Sequence, residues 1–445
     1  MNTFPVETSP RIKRFAQPFQ EFTRAEASGG IVLLACTAIA LLWANSPWSE
    51  SYFSLWHTNI TLGVGSFAIS ESLLHWVNDG LMAIFFFVVG LEIKREILVG
   101  ELATPRQAAL PIAAALGGMV GPALIFFALT AGTPDVSGWA IPMATDIAFA
   151  LGILALLGDR VPTTLKVFLA AAAIVDDLAA VLIIALFYTS GISMTALLVA
   201  GVFLAILIGA NLLGIRRTSV YVLLGIGLWV AVFESGIHAT IAGVLLAMTI
   251  PARVRIDADR FVGWVSDALD EFKLALALGG PESSPRKHAA VRSIELATVD
   301  AEPPLLRLEH ALVYWVAFLI MPIFALANAG VDLRSGLGAA LTSRVGLGIA
   351  LGLVLGKGIG ISLFTWIVTR FGISALPSGV TWLQIIGLSL IAGIGFTMSL
   401  FIAGLAFGEG PMLNVAKAGI LMGSLVAGTM GYMILRAATS PRVSI

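Results

Sequence analysis

The chain has 445 residues, 58% of them hydrophobic and only 12% charged, with a formal net charge of −1. That composition excludes an ordinary soluble domain and fits a polytopic membrane protein. The balanced charge points to no nucleic acid and no acidic ligand. The single cysteine, Cys36, lies in an apolar run and excludes both a disulfide framework and a cysteine metal site.

Residues 1–28 are polar and lack the basic and apolar layout of a cleaved signal, so they are expected to remain as a cytoplasmic N-terminal tail. Apolar runs of about 17–25 residues, the length that crosses a bilayer, then recur. They fall near 29–45, 73–97, 107–130, 137–157, 163–189, 194–213, 218–234, 236–250, 309–329, 344–369, 380–407 and 413–436. An all-α polytopic protein with about 12 transmembrane helices is predicted. The seventh and eighth are short, divided only by Glu234, Ser235 and Gly236.

One polar stretch, 251–308, separates helices 1–8 (29–250) from helices 9–12 (309–436) and reads as a cytoplasmic linker rich in proline and mixed charge. Within it, 261–278 could form an amphipathic helix on the membrane surface, although a tether without a specific partner is the plainer expectation. Residues 437–445 form the C-terminal tail. Placing both termini in the cytoplasm assigns 22 of the 26 Lys and Arg residues to the inside. Only Arg334, Arg344 and Lys417 fall outside, and Lys357 lies within a span. That bias favours cytoplasmic termini.

Charges inside the spans are few. Asp79 sits at the outer end of the second span, and Glu92, Lys94, Arg95 and Glu96 at its inner end. The inner group reads as an interfacial ion network or as a funnel that attracts cations and responds to pH. Asp146 follows Pro142 and Thr145 in AIPMATDIAFALGIL. Proline frees a helix carbonyl, so a broken helix with a carboxylate at the break is a coherent reading. Gly393, Gly395 and Thr397 mark a second candidate break.

Asp176 and Asp177 are the only charges in 167–189. Each Asp at a helix centre costs roughly 2.5–3.5 kcal/mol, and the apolar residues around the pair return about as much as both cost. The helix gains no stability from the pair, so a cation or proton site is the stronger reading. Adjacent helical residues point about 100° apart. One aspartate can therefore meet mid-span Lys357, which needs an anionic partner, while the other faces water. His238 and His310 lie near span ends and could titrate near neutrality, with a structural role the plainer account. There is no phosphate-binding glycine loop, metal-ligand spacing or nucleophile elbow. No enzyme and no cofactor are expected.

The segments NDGLMAIFFFVVGLEIKRE, ATDIAFALGIL, AIVDDLAAV, GIHATIAGVL, GKGIGISLF and GIGFTMSLFI run in order between about residues 20 and 435. In them the chain resembles the NhaA family of sodium/proton antiporters. The resemblance implies an inverted-repeat transporter, of which this family is a type example, with two discontinuous helices crossing at mid-membrane. It implies that Asp177 is the principal sodium ligand, that Asp176 pairs with Lys357, and that Asp146 and Thr145 support the site. Glu92, Arg95, Glu96, His238, Glu309 and His310 fall in segments associated with pH response or the funnel, and Asp79 is a further candidate for that group. Val313 stands where the family type has a second histidine, which weakens pH sensing through that helix.

The implied activity is Na+ (and Li+) expulsion in exchange for entering H+, electrogenic at two H+ per Na+, across the bacterial cytoplasmic (inner) membrane. Assembly as a homodimer in the lipid bilayer is left open. A passive cation channel, or a cation-coupled symporter of a small solute, would use the same buried acids and form the alternative classes.

Overall fold

The computed structural model describes residues 28–64, 67–189, 191–254, 256–279 and 283–439. The expectations for the two tails therefore fall largely outside the described residues. Each of the twelve predicted apolar stretches is helical. Among the described residues, six helices are long and apolar enough to cross a membrane singly, or nine when each sharply bent pair counts as one span. The protein is an all-α polytopic membrane protein.

Two of those bends are the breaks anticipated from proline and glycine. Pro134–Met143 turns by 41° into Ile147–Leu156, and Trp382–Ile391 turns by 47° into Phe396–Phe407. Pro142 lies one residue before the end of the first half-helix, and Gly393 and Gly395 occupy the second break. Three other helices carry π-helical turns, which are rare and concentrate at functional positions. Trp76–Leu81 contains Asp79, and Gly352–Gly356 immediately precedes Lys357.

A close glycine contact flanks Lys357. Pro105–Thr130 presents Gly117 and Gly121 to Gly356 and Gly360 of Arg344–Arg370, so each helix carries the G-x-x-x-G spacing that lets membrane helices approach backbone to backbone. A Cβ on Gly117 would strike the Gly360 carbonyl oxygen. Gly118, beside that contact, faces the Lys357 side chain.

Two features differ from the sequence reading. Asn59–Val64 and Phe67–Ser72 form an antiparallel hairpin with Asn59 opposite Ser72; its alternating apolar residues are too few to register as a span. The linker's amphipathic stretch is the helix Ala258–Leu278, capped by the Asp257 side chain. It does not stand alone. Ser283–Ala301 packs along it through buried Ala268, Ala275, Ala290 and Ala297, each pair seven residues apart, as in a coiled-coil seam.

Gly117→Ala should lower stability by about 1–3 kcal/mol, because its new methyl meets backbone that cannot rotate away. Gly201→Ala, which enters open space, should leave the melting temperature in detergent nearly unchanged. Equal melting temperatures for the two variants would contradict the close-contact account.

Candidate functional site

The two breaks meet. Asp146 caps Ile147–Leu156, its Oδ1 accepting from the Phe149 amide at 3.0 Å, while Oδ2 accepts from the Thr397 amide at 3.0 Å and from the Thr397 hydroxyl. One carboxylate thus serves the N-termini of two half-helices, where the partial positive charge of each helix is concentrated. The Asp146 amide in turn donates to the Ile394 carbonyl at 2.7 Å. Ser399 Oγ donates to the Ile141 carbonyl at 2.7 Å, tying the second break to the end of the first half-helix.

Lys357 sits on the other side of Thr145. Its Nζ lies 2.6 Å from Asp176 Oδ2 and donates to Thr145 Oγ1 at 2.6 Å. Thr145 Oγ1 is also 2.8 Å from Asp176 Oδ2 and 3.0 Å from the Ala392 carbonyl. With one hydroxyl hydrogen, it donates to one of these two at a time. Lys357 is only 1% exposed, so its charge is held by this pair rather than by water.

Asp177 is equally buried but faces elsewhere on Thr163–Phe187. It lines a cavity with Asp146, Thr145, Thr397 and Glu92, whereas Asp176 and Lys357 line a second cavity with Ser389. Thr145 reaches both. The roughly 100° between neighbouring helical residues therefore separates the two aspartates into two chambers.

The remaining predicted residues form two outlying groups. Arg95 Nε lies 3.0 Å from one oxygen of Glu309 and 3.2 Å from the other, and Arg95 also pairs with Glu96 at 2.8 Å. Glu92 is buried on the same helix. Glu96 accepts the Glu101 amide, and burial followed by the charge of Glu96 pushes the Glu101 carboxyl above its usual range. His310 stands apart, 3.7 Å from Glu302. At the other end of the helix Asp79 is 2.7 Å from His75 and 3.4 Å from His238.

Three participants had no such role in the sequence reading. His75 is one helical turn before Asp79, a spacing that could have flagged it. Lys94 Nζ caps the end of Thr240–Thr249 through the Met248 and Ile250 carbonyls at 2.6 and 2.5 Å. Thr397 was visible as part of a break, but its bond to Asp146 spans 251 residues and leaves no local signal.

Buried carboxylates and a lysine at paired helix breaks define a class, the ion-coupled membrane transporters with discontinuous helices. Comparison with known proteins gives the family. The model of the family Na+/H+ antiporter 1 matches residues 20–435. The Na(+)/H(+) antiporter NhaA of Oleidesulfovibrio alaskensis is 53% identical over 426 residues, covering 96% of this chain and 95% of that protein. That of Koribacter versatilis is 52% identical, covering 95% and 92%. NhaA 1 of Klebsiella pneumoniae is 47% identical, covering 94% and 95%. The chain belongs to the NhaA family of Na+/H+ antiporters.

Thr145→Val should destabilise the fold by about 1–3 kcal/mol, since it removes the hydroxyl between Lys357 and Asp176 and leaves buried polar groups short of a partner. Thr145→Ser keeps that hydroxyl. Unfolding in detergent that treats the two variants alike would show that the hydroxyl does not hold the pair.

Proposed function

We propose that the protein exchanges Na+, and Li+, for H+ by alternating access, with Asp177 as principal cation ligand. The chamber that gathers Asp177, Asp146, Thr145 and Thr397 beside two helix breaks carries this reading. It supplies carboxylate and hydroxyl oxygens, the donors a hard cation takes. Neighbouring half-helix ends expose carbonyls that could complete the shell, as non-helical backbone at membrane depth does where it lines a cavity.

Competition couples the ions. A carboxylate that binds a proton loses the charge that makes it a sodium ligand, so loading one ion expels the other. If the site reorients only when its carboxylates are neutralised, neither gradient dissipates alone. Exchange of two H+ per Na+ would be electrogenic and worth about 2.3 kcal/mol per net charge at 100 mV. Asp177 and Asp176 are the proposed proton carriers. Lys357 holds Asp176 electrostatically when that carboxylate is charged.

The same reading assigns twelve crossings in a bacterial cytoplasmic membrane with both termini inside. It places Glu92, Arg95, Glu96, Glu309 and His310 at the cytoplasmic funnel, and Asp79 and His238 at the outer end, as groups through which pH regulates exchange. Na+ and H+ are substrates, and no resident cofactor takes part.

The decisive experiment is sodium-driven proton flux in proteoliposomes containing the native chain. A sodium gradient should drive saturable proton movement in the opposite direction, faster when the membrane voltage is clamped by potassium and valinomycin. Sodium and proton fluxes in the same direction, or a non-saturating conductance, would overturn the antiport reading.

Asp177→Asn should abolish exchange while the protein stays folded, because the amide keeps the shape but cannot become an anionic ligand. Retained flux in that variant would remove Asp177 from the site. Lys357→Ala leaves Asp176 without its cation and should cost about 3–5 kcal/mol. Lys357→Arg keeps the charge without a usable proton and should retain voltage-sensitive exchange. A stable arginine variant whose exchange no longer responds to voltage would make Lys357 the proton carrier instead.

A further inference from the structure

The two chambers differ in charge in a way that the antiport reading leaves unused. Among the residues lining the Asp177 chamber, Asp146, Asp177 and Glu92 are acidic and none is basic. The other chamber carries one acid and one base, Asp176 and Lys357, already 2.6 Å apart. Most of its remaining wall is alanine, leucine and phenylalanine. A sodium ion entering the first chamber meets a wall whose charged groups are all carboxylates, whereas in the second it meets an ammonium and few oxygens to replace its water. A proton needs only a chain of hydroxyls or waters.

Hydroxyls stand where such a chain would run. Ser389 lines the Lys357 chamber, and its Oγ lies 3.1 Å from Ser362 Oγ. On Lys357–Arg370, residues 357, 361 and 365 share one face, four apart, and Ile361 lines the same chamber. Thr365 therefore continues the face of Lys357 toward the helix end that bears Arg370. Thr365 is completely buried, and its Oγ1 has no hydrogen-bond partner among the described residues. A buried hydroxyl in that condition calls for a further polar partner such as water. Ser389 and Ser362 already bond to carbonyls of their own helices, at 2.8 and 2.7 Å, as hydroxyls able to reorient between two acceptors do.

We propose that the chamber beside Lys357 is a proton-access path separate from the sodium chamber, with Ser389, Ser362 and Thr365 as its hydroxyl steps and Asp176 as its terminus. It rests on the antiport reading and divides that activity between two routes. In the inward direction a proton leaves Asp176 Oδ2 as the Lys357 ammonium takes up that oxygen. It passes along the hydroxyls and is released at the Arg370 end of the helix, which the proposed topology places in the cytoplasm; no covalent bond other than O–H changes. The positive charge of Lys357 keeps sodium out of the path, and the roughly 100° between Asp176 and Asp177 keeps the routes apart.

Ser389→Ala, Thr365→Val and their combination test this in proteoliposomes, with sodium affinity measured by calorimetry on the same proteins at alkaline pH. Sodium-driven proton flux should fall by about tenfold in the double variant, the rate equivalent of one lost hydrogen bond in a transfer path. The solvent deuterium isotope effect should rise, and the sodium Kd should stay at the native value. Ser389→Thr and Thr365→Ser, which keep the hydroxyls, should retain native flux and serve where an apolar variant melts early. Native flux in a folded double variant overturns the separate path. So does sodium affinity that weakens in step with flux, or failure of the hydroxyl-retaining variants to keep it. Failure of the native chain to exchange at all would instead remove the antiport reading.

Discussion

The carboxylate of Asp146 binds the amide ends of two half-helices that lie far apart in the chain. Each broken helix leaves amides and carbonyls without intrahelical partners at a depth where water cannot supply them. One anion shared between two N-termini satisfies part of that demand and offsets the partial positive charge gathered there. The remaining obligations run across the same junction, through the Asp146 amide to Ile394 and the Thr145 hydroxyl toward Ala392. The breaks support each other, and neither would be stable at this depth alone.

That arrangement explains why Thr145, Asp176 and Lys357 belong together. Lys357 brings a positive charge to the side of the junction where carbonyl ends gather, and Asp176 and Thr145 hold it there. Because the lysine is paired with Asp176, the cavity lined by Asp177, Asp146 and Glu92 has no basic side chain in its wall. A buried ion pair contributes little net stability compared with apolar packing. On the proposed reading, the pair is retained as a device that keeps one aspartate occupied and leaves its neighbour for the cation.

Much of this was legible in the sequence, and the boundary is physical. Twelve helical stretches follow from apolar length, and both breaks follow from Pro142, Gly393 and Gly395, because a missing donor or a missing side chain acts locally. The adjacency of Asp176 and Asp177 marked them as candidates, and helical geometry alone required them to face apart, as their placement on different cavities has it. The grip of Thr397 on Asp146 and the pairing of Arg95 with Glu309, 214 residues away, carry no periodicity and appear only once the chain has folded. The strands 59–64 and 67–72 and the second linker helix were lost for a different reason. A search for bilayer-length runs ignores short alternating segments and alanine-based seams.

The position of Lys357 depends on three features that would each look incidental in isolation. The π-helical turn Gly352–Gly356 inserts about one residue before the lysine and so rotates the rest of the helix by about 100° relative to an uninterrupted α-helix. Gly356 and Gly360 let this helix lie against Gly117 and Gly121. Within the turn, the Leu353 carbonyl comes so close to Gly393 that a Cβ there would strike it. The break, the turn and the glycine contact are therefore mechanically continuous. A shift at the second break presses directly on the turn that aims Lys357, and through the lysine on Asp176. Interiors packed this closely move between discrete arrangements rather than deforming smoothly. On the proposed antiport reading, the contact between a helix break and a π-helical turn is a physical means by which occupancy of one chamber would alter the pairing in the other.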